Sequence, residues 1–500
     1  MGQSTKSEKI HASLKHPVID GDGHVIEYRP LFEDYLLEVA GRELTDRWRK
    51  QNLDARGGYN QGSQAGGWYS QSEQDRVDRR TVRPPFWATP TRNTRDLATA
   101  MMPKLLAERM DEIGIDYSII YPTMGLFMPR DPNSELRQAT CRALNRMLAD
   151  LFRPHARRMT PAAAIPMHTP AEAVEELDYC VKTLGYKVAM IAGHVRRPVP
   201  KVAREAPAVA GLAQWVDNLA LDSLHDYDPF WQRCVDLKIS PTVHTGSMGW
   251  GSRTSISNYN FNHIGHFAAA NEVSAKALFF GGVTRRFPTL KFGLLEGGVG
   301  WASSLYADLV GHWEKRNRKA LERLDPANLD LPLFLELADK YGDERFRSKV
   351  QVNGDDRAWI ERSTEDRGKI DEWSRCQIER KEDIRTLFAD PFYFGCEADD
   401  SSVPGAFNHR LNPMGTKLKA IFSSDIGHWD VEDIGEVLEE AYELVEHKHI
   451  DESDFRAFTF TNIAELHGSL NRDFFKGTAV EDAVTALQRP DFASKAQAAE

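Results

Sequence analysis

An eightfold alternation of short apolar runs with longer amphipathic segments constrains this chain more than any other feature of its 500 residues. The runs read as strands end at Asp20 and cover 117–122, 160–166, 187–191, 240–244, part of 287–296, 391–396 and 418–424. Apolar residues at helical spacing occupy 101–113, 135–152, 170–184, 228–237, 263–280 and 301–313, and again 431–445 and 453–470. Thr169 and Pro170 open one of these helices as cap and first residue, and Gly185 closes it. Strands that alternate with helices and read as continuous apolar runs make a parallel sheet covered on both faces. Eight such units favour closure, so the expected fold is α/β, a (β/α)8 TIM barrel. No glycine-rich dinucleotide fingerprint follows the first strand, which argues against an open doubly wound sheet.

Three stretches interrupt the alternation. Long insertions are expected after strands 1, 4 and 6, at about 28–97, 194–227 and 314–390. The first shows no clear periodicity and holds Tyr59, Trp68, Tyr69, Phe86 and Trp87, so it reads as an irregular segment partly covering the site or as an oligomer-contact arm. The expected organisation is a polar tail over 1–16, a barrel domain over 17–470 and a C-terminal extension over 471–500. A net charge of −11, with no offsetting basic stretch, speaks against nucleic acid as a partner. No run of 18 apolar residues exists and the first 15 residues lack the apolar core of a signal peptide, so no membrane association is expected. Five scattered cysteines without a CxxC spacing suit a reducing, cytoplasmic setting.

In a barrel of this kind the reactive face lies at the carboxyl ends of the strands. Polar residues fall at those ends repeatedly. Strand 1 runs out into Asp20-Gly21-Asp22-Gly23-His24, and residues i and i+2 of an extended strand share a face, so Asp22 and His24 aim at one spot. Strand 5 ends in His244, strand 6 in Glu296 and strand 8 in Asp425. Hard carboxylate oxygens beside imidazoles are what a divalent ion such as Zn, Mn or Fe accepts, either one ion with a catalytic base or two ions bridged by a carboxylate. His266, near the start of the helix after strand 5, and His428, three residues beyond Asp425, are candidate catalytic or second-ion residues.

These motifs together resemble the amidohydrolase superfamily, in its amidohydrolase-related branch that includes the aminocarboxymuconate-semialdehyde and γ-resorcylate decarboxylases. The matching features are Asp22-Gly23-His24, His244-Thr245-Gly246, the Phe287-Pro-Thr-Leu-Lys291 run before strand 6, and Ser424-Asp425-x-x-His428. The resemblance implies Asp22 and His24 as strand-1 metal ligands, His244 as the strand-5 ligand and Asp425 as ligand or base. The family usually places a His after strand 6, whereas Glu296 stands here. That variant is similar to a subgroup containing dinuclear iron or manganese oxygenases.

The function expected from these residues is metal-dependent hydrolysis or decarboxylation of a small organic, carboxylated substrate by a homo-oligomer. Two alternatives stand beside it: a dinuclear Fe or Mn oxygenase, and a non-catalytic partner subunit with a structural metal site.

Overall fold

A computed structural model of the chain describes residues 4–53, 68–69, 71–85, 92–353 and 370–488. Tyr59, Phe86 and Trp87, the middle of the 314–390 insertion and the end of the C-terminal extension lie outside the described residues. The strands are β1 (Ile19–Val25), β2 (Tyr117–Pro122), β3 (Met159–Ala164), β4 (Val188–Ile191), β5 (Pro241–Val243), β6 (Phe292–Leu294), β7 (Phe392–Glu397) and β8 (Lys419–Ser423). They form one sheet in chain order, every neighbouring pair from β1 to β8 parallel. With the helices packed around it, this is a (β/α)8 TIM barrel. Because both faces of each strand are covered, β2, β4, β5 and β6 are buried at every position and read as near-continuous apolar runs, while β1, equally buried, carries Asp20, Asp22 and His24 and extends past Asp20 to Val25.

The seam between β8 and β1 is held largely by one side chain. The Asp20 carboxylate accepts bonds from the Ser424 backbone (2.9 Å) and hydroxyl (2.8 Å) on the β8 side and from the Ser118 hydroxyl (2.6 Å) on β2. The Asp425 N–H then donates to the Asp22 carbonyl at 3.0 Å. A carboxylate that reaches this far back needs room. A Cβ at Gly23 would sit 2.4 Å from Asp20 Oδ2, so only glycine fits between Asp22 and His24.

The helices follow their local signals. The helix Pro170–Tyr179 starts with a reciprocal Thr169–Glu172 capping box, and its continuation ends at Gly185 in the left-handed conformation. The helix Ser134–Phe152 buries Leu136, Thr140, Cys141, Leu144 and Leu148 at spacings of three and four. The structure corrects two expectations. The first insertion is not irregular at its start: Arg29–Leu53 is helical, burying Phe32, Leu36, Leu44 and Trp48. Its periodicity is hidden because Gly41 breaks it into two shorter halves. The helix after β5 is also two pieces, Tyr259–His263 and His266–Phe280, separated by Gly265 with φ 69°.

In the second insertion Val195–Pro198 pairs antiparallel with Gln214–Asp217. At the start of the chain the helix Lys6–Ser13 docks through His11 onto Asp116 (2.7 Å) and through the Ser7 hydroxyl onto the Gly435 carbonyl. All five cysteines are free and buried. No helix among the described residues is long and apolar enough to cross a membrane.

Candidate metal centre

The carboxyl ends of β1, β5, β6 and β8 bring Asp22, His24, His244, Glu296 and Asp425 to one buried point. His24 Nε2 lies 3.1 Å from His244 Nε2, 3.4 Å from Asp22 Oδ1 and 3.6 Å from Asp425 Oδ1. His244 Nε2 lies 3.2 Å from Glu296 Oε2 and 3.7 Å from Asp22 Oδ2. Despite this crowding, Asp22 Oδ1 and Glu296 Oε2 have no hydrogen-bond partner among the described residues. The atoms are near one another but not aligned on one another.

That arrangement fits a bound cation. Ligand bonds of about 2.0–2.2 Å around a tetrahedral or octahedral ion separate neighbouring donor atoms by roughly 3–3.5 Å. The donors fall into two groups within 4.8 Å that share His24: Asp22, His24 and His244, and His24, Glu296, Asp425 and His428. The backbone is strained where two of them are delivered, since Glu296 (φ 54°) and Asp425 (φ 47°) both occupy the left-handed region.

The electrostatics point the same way. Burial, reinforced by neighbouring carboxylates, pushes Asp22, Glu296 and Asp425 well above the usual carboxylate range. Burial, reinforced by the neighbouring imidazoles and by Arg130 near His244, holds His24 and His244 far below the usual histidine value. The imidazoles therefore favour the neutral form, which can coordinate, and a cation would offset the mutual repulsion of the acids.

His428 and His266 sit differently. His428 Nδ1 is 2.6 Å from Asp425 Oδ1, its Nε2 is 3.1 Å from the Thr123 hydroxyl, and its ring lies 3.9 Å from that of His24. His266 belongs to neither donor group. It lines the pocket above the centre, has no partner on either ring nitrogen among the described residues, and is pushed down to about 2, chiefly by burial. Gly246 makes its position possible, because a Cβ there would lie 2.1 Å from His266 Nδ1.

Above the donors is a pocket of about 760 Å³, counted to its open mouth. Ile26, Leu126, Phe127, Met248, Phe267 and Trp429 give it apolar and aromatic walls. Its polar lining includes His428, Glu296, Asp430 and Arg130. Sequence reasoning missed three residues here. Glu397 ends β7 and is raised to about 9 by burial and then by the charges of Asp425 and Asp430. A strand read one residue longer would have found it. Asp430, two residues past His428, was likewise within reach of the motif at β8. Arg130 lies in a short turn, Met128–Arg130, to which no periodicity points.

The family model described as Amidohydrolase matches residues 98–357. An amidohydrolase from Mycobacterium avium subsp. paratuberculosis K-10 is similar in structure, with a TM-score of 0.53 at 16% identity over 91% of this chain and 99% of that one. A dihydroxybenzoic acid decarboxylase from Polaromonas sp. JS666, solved with manganese and 2-nitroresorcinol, gives 0.47 at 18% identity over 95% and 99%. A 5-carboxyvanillate decarboxylase from Novosphingobium aromaticivorans DSM 12444, solved with manganese and 4-hydroxy-3-methoxy-5-nitrobenzoic acid, gives 0.46 at 12% over 91% and 96%.

Proposed function

This chain belongs to the amidohydrolase family, and from that premise we propose that it is a metal-dependent hydrolase or non-oxidative decarboxylase of a small, planar organic substrate. The observation that supports this most is the convergence of the unpartnered Asp22 and Glu296 oxygens and the Asp425 carboxylate with the His24 and His244 ring nitrogens beneath an aromatic-walled pocket. Asp22, His24, His244 and Asp425 would hold a divalent ion, with Glu296 adding a further hard oxygen. Such an ion supplies Lewis acidity toward a substrate oxygen or water.

The chain's own groups supply the proton chemistry. A water or substrate atom seated among the donors is within reach of the Asp425 carboxylate, which can exchange a proton with it. In hydrolysis Asp425 takes a proton from water and returns it to the leaving group. In decarboxylation it delivers a proton to the carbon that loses carbon dioxide. His428, held between Asp425 and Thr123, orients that carboxylate and links it to the pocket. Phe127, Phe267 and Trp429 offer the substrate an aromatic surface. The test is product analysis of the metal-loaded protein on a panel of hydroxybenzoates and their amides. Release of carbon dioxide or amine with the Asp425→Asn variant inactive supports the reading, and turnover unaffected by that substitution overturns it.

A second reading rests on Glu296. Its presence in a donor group distinct from that of Asp22 and His244 favours two ions, as a dinuclear Fe or Mn oxygenase requires. Activity that stops when oxygen is removed, in protein holding two ions per chain, selects this reading over the first.

A further inference from the structure

Beside the pocket above the metal donors opens a second recess of about 960 Å³, counted to its mouth. The two share His263, His266, Phe267, Glu296 and Asp430 in their linings, so they are arms of one space. The second arm is built largely from two loops at the carboxyl ends of neighbouring strands, Glu296-Gly297-Gly298-Val299-Gly300 after β6 and Glu397-Ala398-Asp399-Asp400 at the end of β7. Its lining includes five acids, Glu296, Glu397, Asp399, Asp400 and Asp430, and no lysine or arginine. Arg253, which approaches Gly265 in that lining, is occupied by the carbonyls of Ile264 and Gly265.

The acids are close: Asp399, Asp400 and Asp430 each act on the Glu397 carboxyl. The glycines of the first loop make that gathering possible. A Cβ at Gly298 would sit 2.6 Å from Asp400 Oδ2, and the other oxygen of that carboxylate is fixed by the Ser402 N–H at 2.8 Å. The same loop pins an aromatic ring, because the Trp301 indole N–H donates to the Gly298 carbonyl at 2.8 Å and a Cβ at Gly297 would lie 3.2 Å from that nitrogen.

His266 is an independent sign that a ligand belongs here. It is only 6% exposed, lines both arms, and has no hydrogen-bond partner on either ring nitrogen among the described residues. A neutral imidazole brings one acceptor and one donor, and leaving both unmet when buried is costly. The missing partner is not a further metal ion. The donor groups that come within 4.8 Å among the described residues are the two at the centre, and neither contains Glu397, Asp399, Asp400 or Asp430. Carboxylates spread more widely than a coordination sphere, beside aromatic rings, suit a larger organic cation.

We propose that this arm is a subsite for a protonated amine carried by the substrate, with Glu397, Asp399 and Asp400 around the ammonium, Phe267 and Trp301 beside it, and His266 accepting one of its hydrogen bonds. An ammonium has three rotatable donors and no acceptor, which matches a ring of acceptors without coordination geometry. The substrate class is then an amine-bearing aromatic amide or carboxylate, its amine in this arm and its reacting group over the metal donors. The assignment rests on the proposed function only in taking the amine as part of the molecule turned over at the centre.

The test is calorimetric titration of benzylamine, protonated at neutral pH, and of its uncharged counterpart benzyl alcohol into the full chain, metal-loaded and metal-free. The amine is expected to bind about 10–100-fold more tightly than the alcohol in both forms, the range of one charge-assisted interaction. Glu397→Gln combined with Asp400→Asn keeps the side-chain shapes and should cut the preference to about threefold or less, with the metal content unchanged. Asp399→Asn, at an exposed position, gives a smaller loss of the same kind where the double variant does not fold. Four outcomes would overturn the proposal: equal binding of amine and alcohol, a preference intact in the folded variants, a preference confined to metal-free protein, or a Glu397-dependent second manganese ion that displaces benzylamine. Turnover is a separate readout. An acid-dependent amine preference without turnover removes the reading of function and leaves the subsite, and turnover without the preference does the reverse.

Discussion

The Asp425 carboxylate lies 2.6 Å from Nδ1 of His428, and the other nitrogen of that ring lies 3.1 Å from the Thr123 hydroxyl. The end of β8 thus presents a buried acid and the imidazole that steadies it, anchored to the turn after β2. Asp425 faces His24 on one side and His428 on the other, which places it between the metal donors and the pocket.

Asp425→Asn keeps the shape and one oxygen but cannot exchange a proton. Turnover should fall by about 10²–10⁴-fold, the usual contribution of a positioned general acid–base, while most of the metal is retained by Asp22, His24 and His244. Steady-state rates beside elemental analysis of the same sample check this. His428→Gln should cost less and should shift the pH profile.

Asp20 tests the barrel seam. Its carboxylate accepts from Ser118, from the Ser424 backbone and hydroxyl, and from the Asp22 N–H. Asp20→Ala leaves those buried donors unpaired and should destabilise the fold by about 2–5 kcal/mol. Because Asp22 hangs from the same cluster, metal affinity should fall with it. Denaturant unfolding and metal titration of the variant measure the two effects separately.

Gly246→Ala should displace His266 rather than unfold the barrel, since the added Cβ meets the ring and not the backbone. The expected cost is about 1–3 kcal/mol of stability, as for other overpacked sites, with altered substrate binding and unchanged metal content.

Glu397 gives a pH dependence with a definite sign. Its carboxyl is raised to about 9, so the folded state holds this proton more tightly than the unfolded chain does. Its favourable contribution is complete below the unfolded carboxyl value and is lost as pH rises towards 9. In metal-free protein this group should therefore lower the melting temperature progressively between about pH 4.5 and 9, and Glu397→Gln should flatten that decline. Bound metal should flatten it too, by neutralising Asp425, which contributes to the raised value.

The parts of this site that the sequence revealed are those governed by strand periodicity. Asp22 and His24 alternate with Gly23 at the end of an apolar run, and His244, Glu296 and Asp425 each terminate one, so the barrel rule alone gathers them. Glu397 escaped because it opens the acidic run Glu397-Ala398-Asp399-Asp400, which reads as a solvated loop until β7 is seen to include it. Arg130 escaped for a different reason. It joins the pocket lining only through the fold, and that placement is a property of the folded chain. Arg197 is held by Asp217 and Arg253 by backbone carbonyls, pairings that no pattern in the sequence announces. The helix Arg29–Leu53 was obscured by Gly41, which resets the period within it.

The most direct measurement is the metal content of the full chain purified without added metal, compared with His24→Ala and His244→Ala variants of intact fold. The geometry predicts about one or two divalent ions per chain, of zinc, manganese or iron, with the content falling sharply in both variants. Wild-type protein that is folded, holds no metal and takes none up on addition would contradict the account.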